Sequence, residues 1–213
     1  MVRYTIPPPA STSQIGNSVA VVQSAQLKMA SQGVKTVTML CAGCAGFFIQ
    51  AANSQNYYPR YVLSSMDSPG AATGATYDRA MRSSVSVGWE PLTDYGSKAP
   101  PVKVPHNATW DECTTIQKKL ISSQDTLNIA LLTCDAVLKF YYAAKANPTQ
   151  TITAESLRDG LLRLGTSHPS AMTFASALSP AKHAGASQYR LMTWNAACSC
   201  PSYSGSPLAF PRP

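Results

Sequence analysis

The sequence predicts an α/β fold with a parallel sheet, and two observations lead to this prediction. Between residues 2 and 65, short apolar or β-branched segments alternate with longer segments of helical character. The connections between them are short and contain glycine, proline or small polar residues. This alternation is typical of parallel strands joined by right-handed crossovers, with helices that cover the sheet.

Five elements are expected in this first part of the chain. They are a strand at 2–6, a helix at 15–31, a strand at 34–40, a helix at 45–55 and a strand at 61–65. Gly33 stands where a helix C-terminal glycine is expected, and the segment after it is rich in β-branched residues. In an open α/β sheet the ligand binds at the carboxyl ends of the strands. The segments 41–46 and 64–67 are therefore the first candidates for a binding site.

The pattern changes after residue 68. A helix is expected near 77–82, a strand at 83–89, a proline-containing crossing segment at 93–106, helices at 110–122, 126–146 and 154–164, and a strand at 189–194. Thr153 is expected to cap the last helix and Gly165 to end it. We therefore divide the chain into an α/β segment at 1–88, a segment at 89–200 with the crossing, the helical pair and the final strand, and a loose Ser/Gly/Pro-rich tail at 201–213.

Composition and charge argue against several classes of function. The chain carries 17 Lys and Arg against 10 Asp and Glu, a net charge of +7, but the basic residues are spread from Arg3 to Arg212. A nucleic-acid interface would concentrate them on one face, so we predict no nucleic-acid partner. No segment reaches the ~20 apolar residues of a membrane-spanning helix. The first residues also lack a charged leader followed by an apolar run, so no signal peptide is predicted in this chain.

Six cysteines are candidates for disulfides: Cys41, Cys44, Cys113, Cys134, Cys198 and Cys200. The first pair lies between a predicted strand and the start of a predicted helix, where a thiolate is stabilised. A thiol–disulfide oxidoreductase that uses this pair is therefore one alternative, and a structural turn is the other. The third and fourth cysteines flank the junction of two predicted neighbouring helices, which favours a disulfide between them. A zinc site is disfavoured, because the last pair is separated by one residue and no histidine is near.

No catalytic set is recognisable in the sequence. The three histidines, His106, His168 and His183, are isolated from any nucleophile or metal-ligand spacing. A nucleophile elbow, a P-loop and a paired-carboxylate pattern are all missing. We therefore predict a binding protein, not an enzyme, with no cofactor and no metal.

Several motifs, taken in order, resemble one known family. They are Phe47–Ala52 followed by Asn56 and Tyr58–Tyr61, then Val87–Pro91, His183–Ala186 with Tyr189-Arg190, and Trp194-Asn195 leading to Cys198-Ser-Cys200 and Tyr203. Together they resemble the type I periplasmic binding proteins, the substrate-binding proteins of ABC transporters for branched-chain amino acids and amides. The likeness is to the actinobacterial members of that family.

The resemblance implies two Rossmann-like lobes around a cleft, with three chain crossings between them. This chain would be the C-terminal portion, with the core of the N-terminal lobe missing and residues 1–88 in the second lobe. The family is exported, often as a cell-surface lipoprotein, and delivers a small solute to an ABC transporter permease. A ligand-sensing regulatory domain shares the fold and stays a further alternative.

The resemblance also suggests ligand-binding residues. Backbone N–H groups at Ala42 and Gly43 would hold an anionic group at the start of a helix. Side chains of Ser64, Ser65 and Asp67 would donate or accept hydrogen bonds, and Trp89 would form an apolar wall. These six residues are the candidate site.

Overall fold

The computed structural model describes residues 2–6, 15–41, 45–95, 107–120, 127–147, 151–182 and 185–211. The helices in these ranges are α1 (Ile15–Ser31), α2 (Ala45–Ser54), α3 (Asp78–Met81), α4 (Pro91–Asp94), α5 (Ala108–Leu120), α6 (Leu127–Ala146) and α7 (Ala154–Leu164). The strands are β1 (Thr36–Thr38), β2 (Arg60–Ser64), β3 (Val85–Gly88), β4 (Gln188–Asn195) and β5 (Cys200–Ala209).

The chain divides into two units. The first unit contains Met1–Gly88, Thr93–Pro100 and Leu191–Gly205. The second unit contains Trp89–Leu92, Pro101–Arg190 and Ser206–Pro213. Each unit has its own cluster of buried apolar side chains.

The strands form a sheet in the order β1-β2-β3-β4-β5. The first three are parallel, with Val37 opposite Tyr61 and Leu63 opposite Ser86. A short turn at 196–199 joins β4 to its neighbour β5, a connection that permits only an antiparallel hairpin. The carboxyl ends of β1, β2 and β3 therefore lie at one edge of the sheet.

Residues in the left-handed region end α1 and α2. Gly33 has φ +67° after α1, and the N–H of Val34 donates to the carbonyl of Met29 at 3.0 Å. Asn56 has φ +54° after α2, and the N–H of Tyr57 donates to the carbonyl of Ala52 at 2.9 Å. Both are Schellman endings, and they turn the chain back toward β1 and β2. Glycine adopts this left-handed conformation freely at the end of α1, and asparagine tolerates it at the end of α2.

The core of the first unit lies between the sheet and the helices α1, α2 and α3. Its buried side chains include Val37, Phe48, Ile49, Tyr61 and Leu63. The rings of Phe48 and Tyr61 meet edge to face, with their centroids 6.2 Å apart. The alternating burial along β2 shows that one face of the strand packs against α2.

The second unit is built on α5, α6 and α7. A disulfide joins Cys113 of α5 to Cys134 of α6, with their Cα atoms 5.7 Å apart. Trp110, Leu131 and Leu138 pack around it. At the start of α7, Thr153 and Ser156 form a reciprocal capping box, which satisfies two backbone N–H groups.

The predicted α/β class with parallel strands is confirmed, and the predicted helices at 15–31 and 154–164 have the observed bounds. Two predictions are wrong. Residues 2–6 form no strand, because a strand requires a pairing partner that a local apolar pattern cannot reveal. The predicted loose tail from residue 201 is instead β5, which pairs with β4 despite its serines and prolines.

No helix in the described ranges is long and apolar enough to cross a membrane. Residues 96–106 of the predicted crossing segment, with His106, lie outside the described residues, as does His183.

Candidate functional site

The carboxyl end of β2 carries a polar cluster in the first unit. Ser64 is the last residue of the strand, and Ser65–Asp67 form a single turn of 3₁₀ helix directly after it. Ser65 and Asp67 are buried, whereas Ser64 is partly exposed. Three residues of the predicted site therefore lie together at the sheet edge where α/β folds bind ligands.

The carboxylate of Asp67 holds this turn in place. The N–H and the hydroxyl of Ser64 both donate to Asp67 Oδ2, at 2.8 and 3.0 Å. Asp67 Oδ1 lies 3.9 Å from Cys41 Sγ, at the end of the segment that follows β1. Burial raises the pKa of Asp67, while hydrogen bonds from Ser64 and from the backbone of Cys41 oppose that rise. Asp67 thus links the segments that follow two neighbouring strands.

A second buried carboxylate, Asp94, lies next to this turn. It accepts a hydrogen bond from the Ser65 hydroxyl at 3.1 Å and another from the Tyr203 hydroxyl of β5. The N–H of Tyr203 donates to the hydroxyl oxygen of Tyr95 at 2.8 Å. A Cβ added at Gly88 would come within 2.6 Å of Asp94, Met192 and Tyr203, so only glycine fits at the end of β3. Asp67, within the turn, and Asp94, beside it, thus both accept hydrogen bonds that hold Ser64 and Ser65 in place.

Exposed apolar side chains accompany the polar cluster at this edge. Leu40, in the segment after β1, is 91% exposed, and Met66, between Ser65 and Asp67, is 55% exposed. Phe47, in the first turn of α2, is 60% exposed. The carboxyl edge of the first unit therefore offers partly exposed hydrogen-bonding groups beside apolar surface, a combination that suits an amphipathic small molecule.

The second unit contains a separate cavity of about 580 Å³. Its lining is mainly apolar, with two lysines and two acids among the polar residues: Trp89, Glu90, Leu132, Asp135, Ala136, Lys139, Ser170, Met172, Thr173, Lys182, Gly185, Ala186 and Phe210. The indole of Trp89 meets the ring of Phe210 edge to face, with centroids 6.0 Å apart. Trp89 thus lines a cavity within the second unit, and its predicted contact with a ligand stays a prediction.

A buried aspartate organises the polar side of this cavity. Asp135 accepts hydrogen bonds from the Ser170 hydroxyl at 2.9 Å and from the N–H of Ala171 at 2.8 Å. Lys139 Nζ lies 3.6 Å from the same carboxylate, and His168 Nε2 lies 3.8 Å from it. Burial lowers the pKa of His168, so the imidazole is neutral at pH 7. The Ser170 hydroxyl thus donates to the carboxylate of Asp135.

Disulfides account for the remaining cysteines that the structure describes. Cys198 is joined to Cys200 in the turn between β4 and β5, and Cys41 is disulfide-bonded as well. Cys44, Ala42 and Gly43 lie outside the described residues. Within the described ranges, no three His, Cys, Asp or Glu side chains come together in a way that could hold a metal ion.

The sequence did not identify Asp94, Met66 or the two cavity lysines as parts of a site. The partners of Asp94 lie 29 and 109 positions away in the chain, so no local spacing connects them. Lys139 and Lys182 come from a helix and from a distant turn. Met66 gave no local signal, because an apolar residue between two polar ones is ordinarily expected to face the core, whereas here it is 55% exposed.

Solved structures share this architecture. A branched chain amino acid ABC transporter structure from Thermus thermophilus with bound valine is 12% identical and has a TM-score of 0.56, covering 88% of this chain and 50% of that chain. A fatty acid ABC transporter substrate-binding protein from Thermomonospora curvata is 13% identical, with a TM-score of 0.53, covering 89% and 47%. This chain has the type I periplasmic binding protein fold.

The likeness extends over most of this chain but about half of each solved structure. At 12–13% identity it shows the fold and not the ligand. No protein-family model and no curated protein sequence matches the chain.

Proposed function

We propose that this chain is a solute-binding module of an ABC-type uptake system, for a small amino-acid-like or amide-like ligand. The observation that carries the proposal is the type I fold, which this chain shares over nearly nine tenths of its length with ABC transporter proteins. The protein would act outside the cytoplasm and deliver its ligand to a permease. It binds and releases the solute without making or breaking a bond.

The carboxyl edge of the first unit supports a ligand with a polar head and an apolar chain. Ser64 supplies a partly exposed hydroxyl, and backbone groups of Ala42 and Gly43 are the proposed partners of a carboxylate or amide head. Leu40 and Met66 supply exposed apolar surface for the chain of the ligand. Ser65 and Asp67 are buried and bonded within the protein, so we assign them a positioning role. Trp89 lines the separate cavity of the second unit, where it is a proposed apolar contact for a ligand bound in that cavity.

Substitution of Ser64 tests the site. We expect Ser64→Ala to weaken binding about tenfold, because one hydrogen bond to the ligand contributes about 1.4 kcal/mol. The backbone N–H of residue 64 still donates to Asp67, so the turn is preserved. Calorimetric titration with L-valine, L-leucine, acetamide and octanoate measures the affinity of both proteins.

Ser31→Ala is the matched control. Its hydroxyl donates to the carbonyl of Lys28 at the end of α1, in an exposed position away from the sheet edge. Equal affinities of the Ser31 and Ser64 variants would contradict the assignment of the site. Binding that is unchanged in both would place the ligand elsewhere in the molecule.

A thiol assay separates this function from the oxidoreductase alternative. A binding protein needs its Cys41 disulfide only for structure, so we expect no turnover of a dithiol substrate such as dithiothreitol in the presence of an oxidised acceptor. Catalytic exchange lost in Cys41→Ser would favour the oxidoreductase instead.

A further inference from the structure

The cavity of the second unit is built from residues that lie far apart in the sequence. Trp89 and Phe210 come from the first and last segments of the unit, Leu132 and Ala136 from α6, and Met172 from the segment after α7. Its volume of about 580 Å³ lies within the ~300–1,000 Å³ range of small-molecule pockets. A small organic ligand therefore has room inside it.

Part of the apolar wall of this cavity is aromatic. The rings of Trp89 and Phe210 meet edge to face, and the ring of Tyr189 contacts Phe210 with the centroids 4.9 Å apart. Met172 is buried in the same wall and contributes a thioether. Edge-to-face contacts and contacts between sulfur and a ring edge stabilise a bound aromatic ring beyond the area that it buries. The wall therefore favours a flat aromatic body over a flexible chain.

Two lysines bring their ammonium groups to one stretch of the wall. Lys182 Nζ donates a hydrogen bond to the carbonyl of Ala186. Lys139 Nζ lies 3.5 Å from the position that a Cβ on Gly185 would occupy. Gly185 and Ala186 are consecutive, so their Cα atoms are about 3.8 Å apart. Both ammonium groups are therefore close to one point of the cavity wall.

Backbone hydrogen bonds hold this stretch in place. Ser179 and Lys182 form an antiparallel bridge. The N–H of Ala177 donates to the carbonyl of Gly185 at 2.8 Å. The groups near the two lysines are thus fixed before a ligand arrives, which reduces the entropy cost of binding.

Both acids in the lining already have partners in the chain. Asp135 accepts hydrogen bonds from the Ser170 hydroxyl and the N–H of Ala171, and Lys139 Nζ neutralises it from 3.6 Å. Glu90 interacts within the chain as well. Neither acid is therefore an unoccupied partner for a cationic group of a ligand.

The two lysines, in contrast, keep hydrogen-bonding capacity. Among the described residues, Lys182 donates one hydrogen bond and Lys139 donates none, out of the three that an ammonium group can donate. Burial lowers the pKa of Lys182, because its ammonium group has lost part of its hydration. An anion placed between the two lysines would accept the remaining hydrogen bonds.

We propose that the cavity of the second unit binds an aromatic monocarboxylate, with the carboxylate between the two lysines and the ring against the aromatic wall. A single negative charge suffices, because Asp135 already neutralises Lys139. The site lies within the second unit, whereas the proposed solute site lies at the edge of the first unit. Binding here does not depend on the role proposed for that edge.

Calorimetric titration of the full chain with naphthoate tests the site. We expect saturable binding, at least tenfold tighter than that of naphthamide, which has the same rings and no charge. Octanoate, which has the charge and no ring, should also bind at least tenfold more weakly. Absence of naphthoate binding at about 1 mM, or equal binding of naphthamide, would overturn the anionic site. Equal or tighter binding of octanoate would overturn the aromatic assignment.

Removal of one lysine charge supplies a second readout. Lys182→Met should weaken naphthoate binding at least tenfold and leave the weak binding of naphthamide unchanged. Lys145→Met is the matched control, because Lys145 is exposed in the last turn of α6 and does not line the cavity. The control should change neither affinity. Equal naphthoate affinity of Lys182→Met and the unchanged chain would contradict the role of the lysine.

Filling the cavity tests its location. Ala136 is an exposed lining residue, so Ala136→Trp should occupy the cavity, abolish naphthoate binding and leave the melting temperature nearly unchanged. Val137→Trp changes the next residue of α6, which is 60% exposed and outside the lining, and should retain binding. Circular dichroism verifies that both variants are folded. Full naphthoate binding by folded Ala136→Trp would place the ligand elsewhere and overturn the proposal.

Ser64→Ala separates this site from the edge of the first unit. We expect the naphthoate affinity of Ser64→Ala to equal that of the unchanged chain. A loss of naphthoate binding in Ser64→Ala would move the ligand to that edge and overturn the cavity site. An unaltered affinity of Ser64→Ala for valine, leucine and acetamide would count against the proposed function alone.

Discussion

Tyr61 is the second residue of β2, and its side chain is completely buried in the core of the first unit. Its hydroxyl has no hydrogen-bond partner among the described residues. Burial raises the pKa of Tyr61 strongly, and the neighbouring Tyr57 adds to that rise. A buried hydroxyl without a partner costs stability, whereas the ring itself contributes to the core.

We therefore expect Tyr61→Phe to leave the free energy of unfolding unchanged or to raise it by up to about 1 kcal/mol. Urea denaturation followed by fluorescence measures the change. Tyr57→Phe is the matched control, because the Tyr57 hydroxyl donates to the carbonyl of Val34 at 2.7 Å. Tyr57→Phe should lower the free energy of unfolding by about 1 kcal/mol. A larger decrease in Tyr61→Phe than in Tyr57→Phe would contradict the assignment of an unpartnered hydroxyl to Tyr61.

His168 makes the second unit sensitive to acid. Its pKa is lowered from the ordinary value of 6.5, mainly by burial, although the charge of Asp135 opposes the shift. The unfolded chain therefore binds a proton more readily than the folded chain. Above about pH 6.5, His168 is neutral in both states and costs the folded state nothing. As the pH falls below that value, protonation of His168 favours the unfolded chain, so the free energy of unfolding decreases.

We expect the melting temperature to fall between pH 7 and pH 5, and His168→Gln to reduce that fall. Scanning calorimetry across this range measures both slopes. Because Asp135 keeps its hydrogen bonds from Ser170 and Ala171 in the variant, its own contribution should be retained. Identical pH dependence in both proteins would show that His168 is not the responsible group.

At the residue scale, the sequence indicated where some polar groups would meet. Ser64, Ser65 and Asp67 lie together as the sequence predicts, because they end or directly follow the same strand. Asp94 and Tyr203 were not predicted to join them, because only the folded sheet brings β5 beside this turn. Whether these residues bind a ligand stays a prediction.

At the level of elements, the contact between α6 and α7 depends on one glycine. A Cβ added at Gly160 of α7 would lie 2.0 Å from the carbonyl oxygen of Ala143 in α6, a backbone atom that cannot move aside alone. Gly160 therefore lets the two helices approach closely.

We expect Gly160→Ala to lower the free energy of unfolding by about 2–3 kcal/mol, because the helices must separate. Gly46→Ala is the matched control within α2, where an added Cβ would meet Ala71 at an ordinary 3.5 Å. In Gly46→Ala the free energy of unfolding should stay unchanged or rise by up to about 1 kcal/mol, because alanine has the higher helix propensity. Denaturant unfolding of both measures the difference, and equal stabilities would contradict the close packing of α6 and α7.

The sequence of this chain predicts its helices more closely than its strands. Helices such as α1 and α7 were predicted with their bounds, because periodicity and capping residues act within a few positions. Strand β5 was missed, because Ser, Gly and Pro become a strand there only through pairing with β4. The apolar pattern at 2–6 failed for the converse reason, since it has no pairing partner in the structure.

For the whole molecule, the order of strands and helices predicts the α/β class, and the fold follows from it. The domain boundaries at 88 and 200 stay a prediction. The ligand could not be predicted, because the candidate contacts are short polar side chains and backbone groups that many solutes would satisfy. The polar cluster after β2 also depends on Asp94 and Tyr203, which come from distant parts of the chain.

A thermal-shift screen shows whether this chain binds a small solute. The purified chain is melted under oxidising conditions with 10 mM of L-valine, L-leucine, acetamide, urea, octanoate or benzoate. Even a Kd of 1 mM stabilises the folded state by about 1.4 kcal/mol at that concentration, a shift of about 3–5 °C. We predict that one class raises the melting temperature in proportion to the logarithm of its concentration. A cooperative melt that none of these ligands moves would contradict the proposed function.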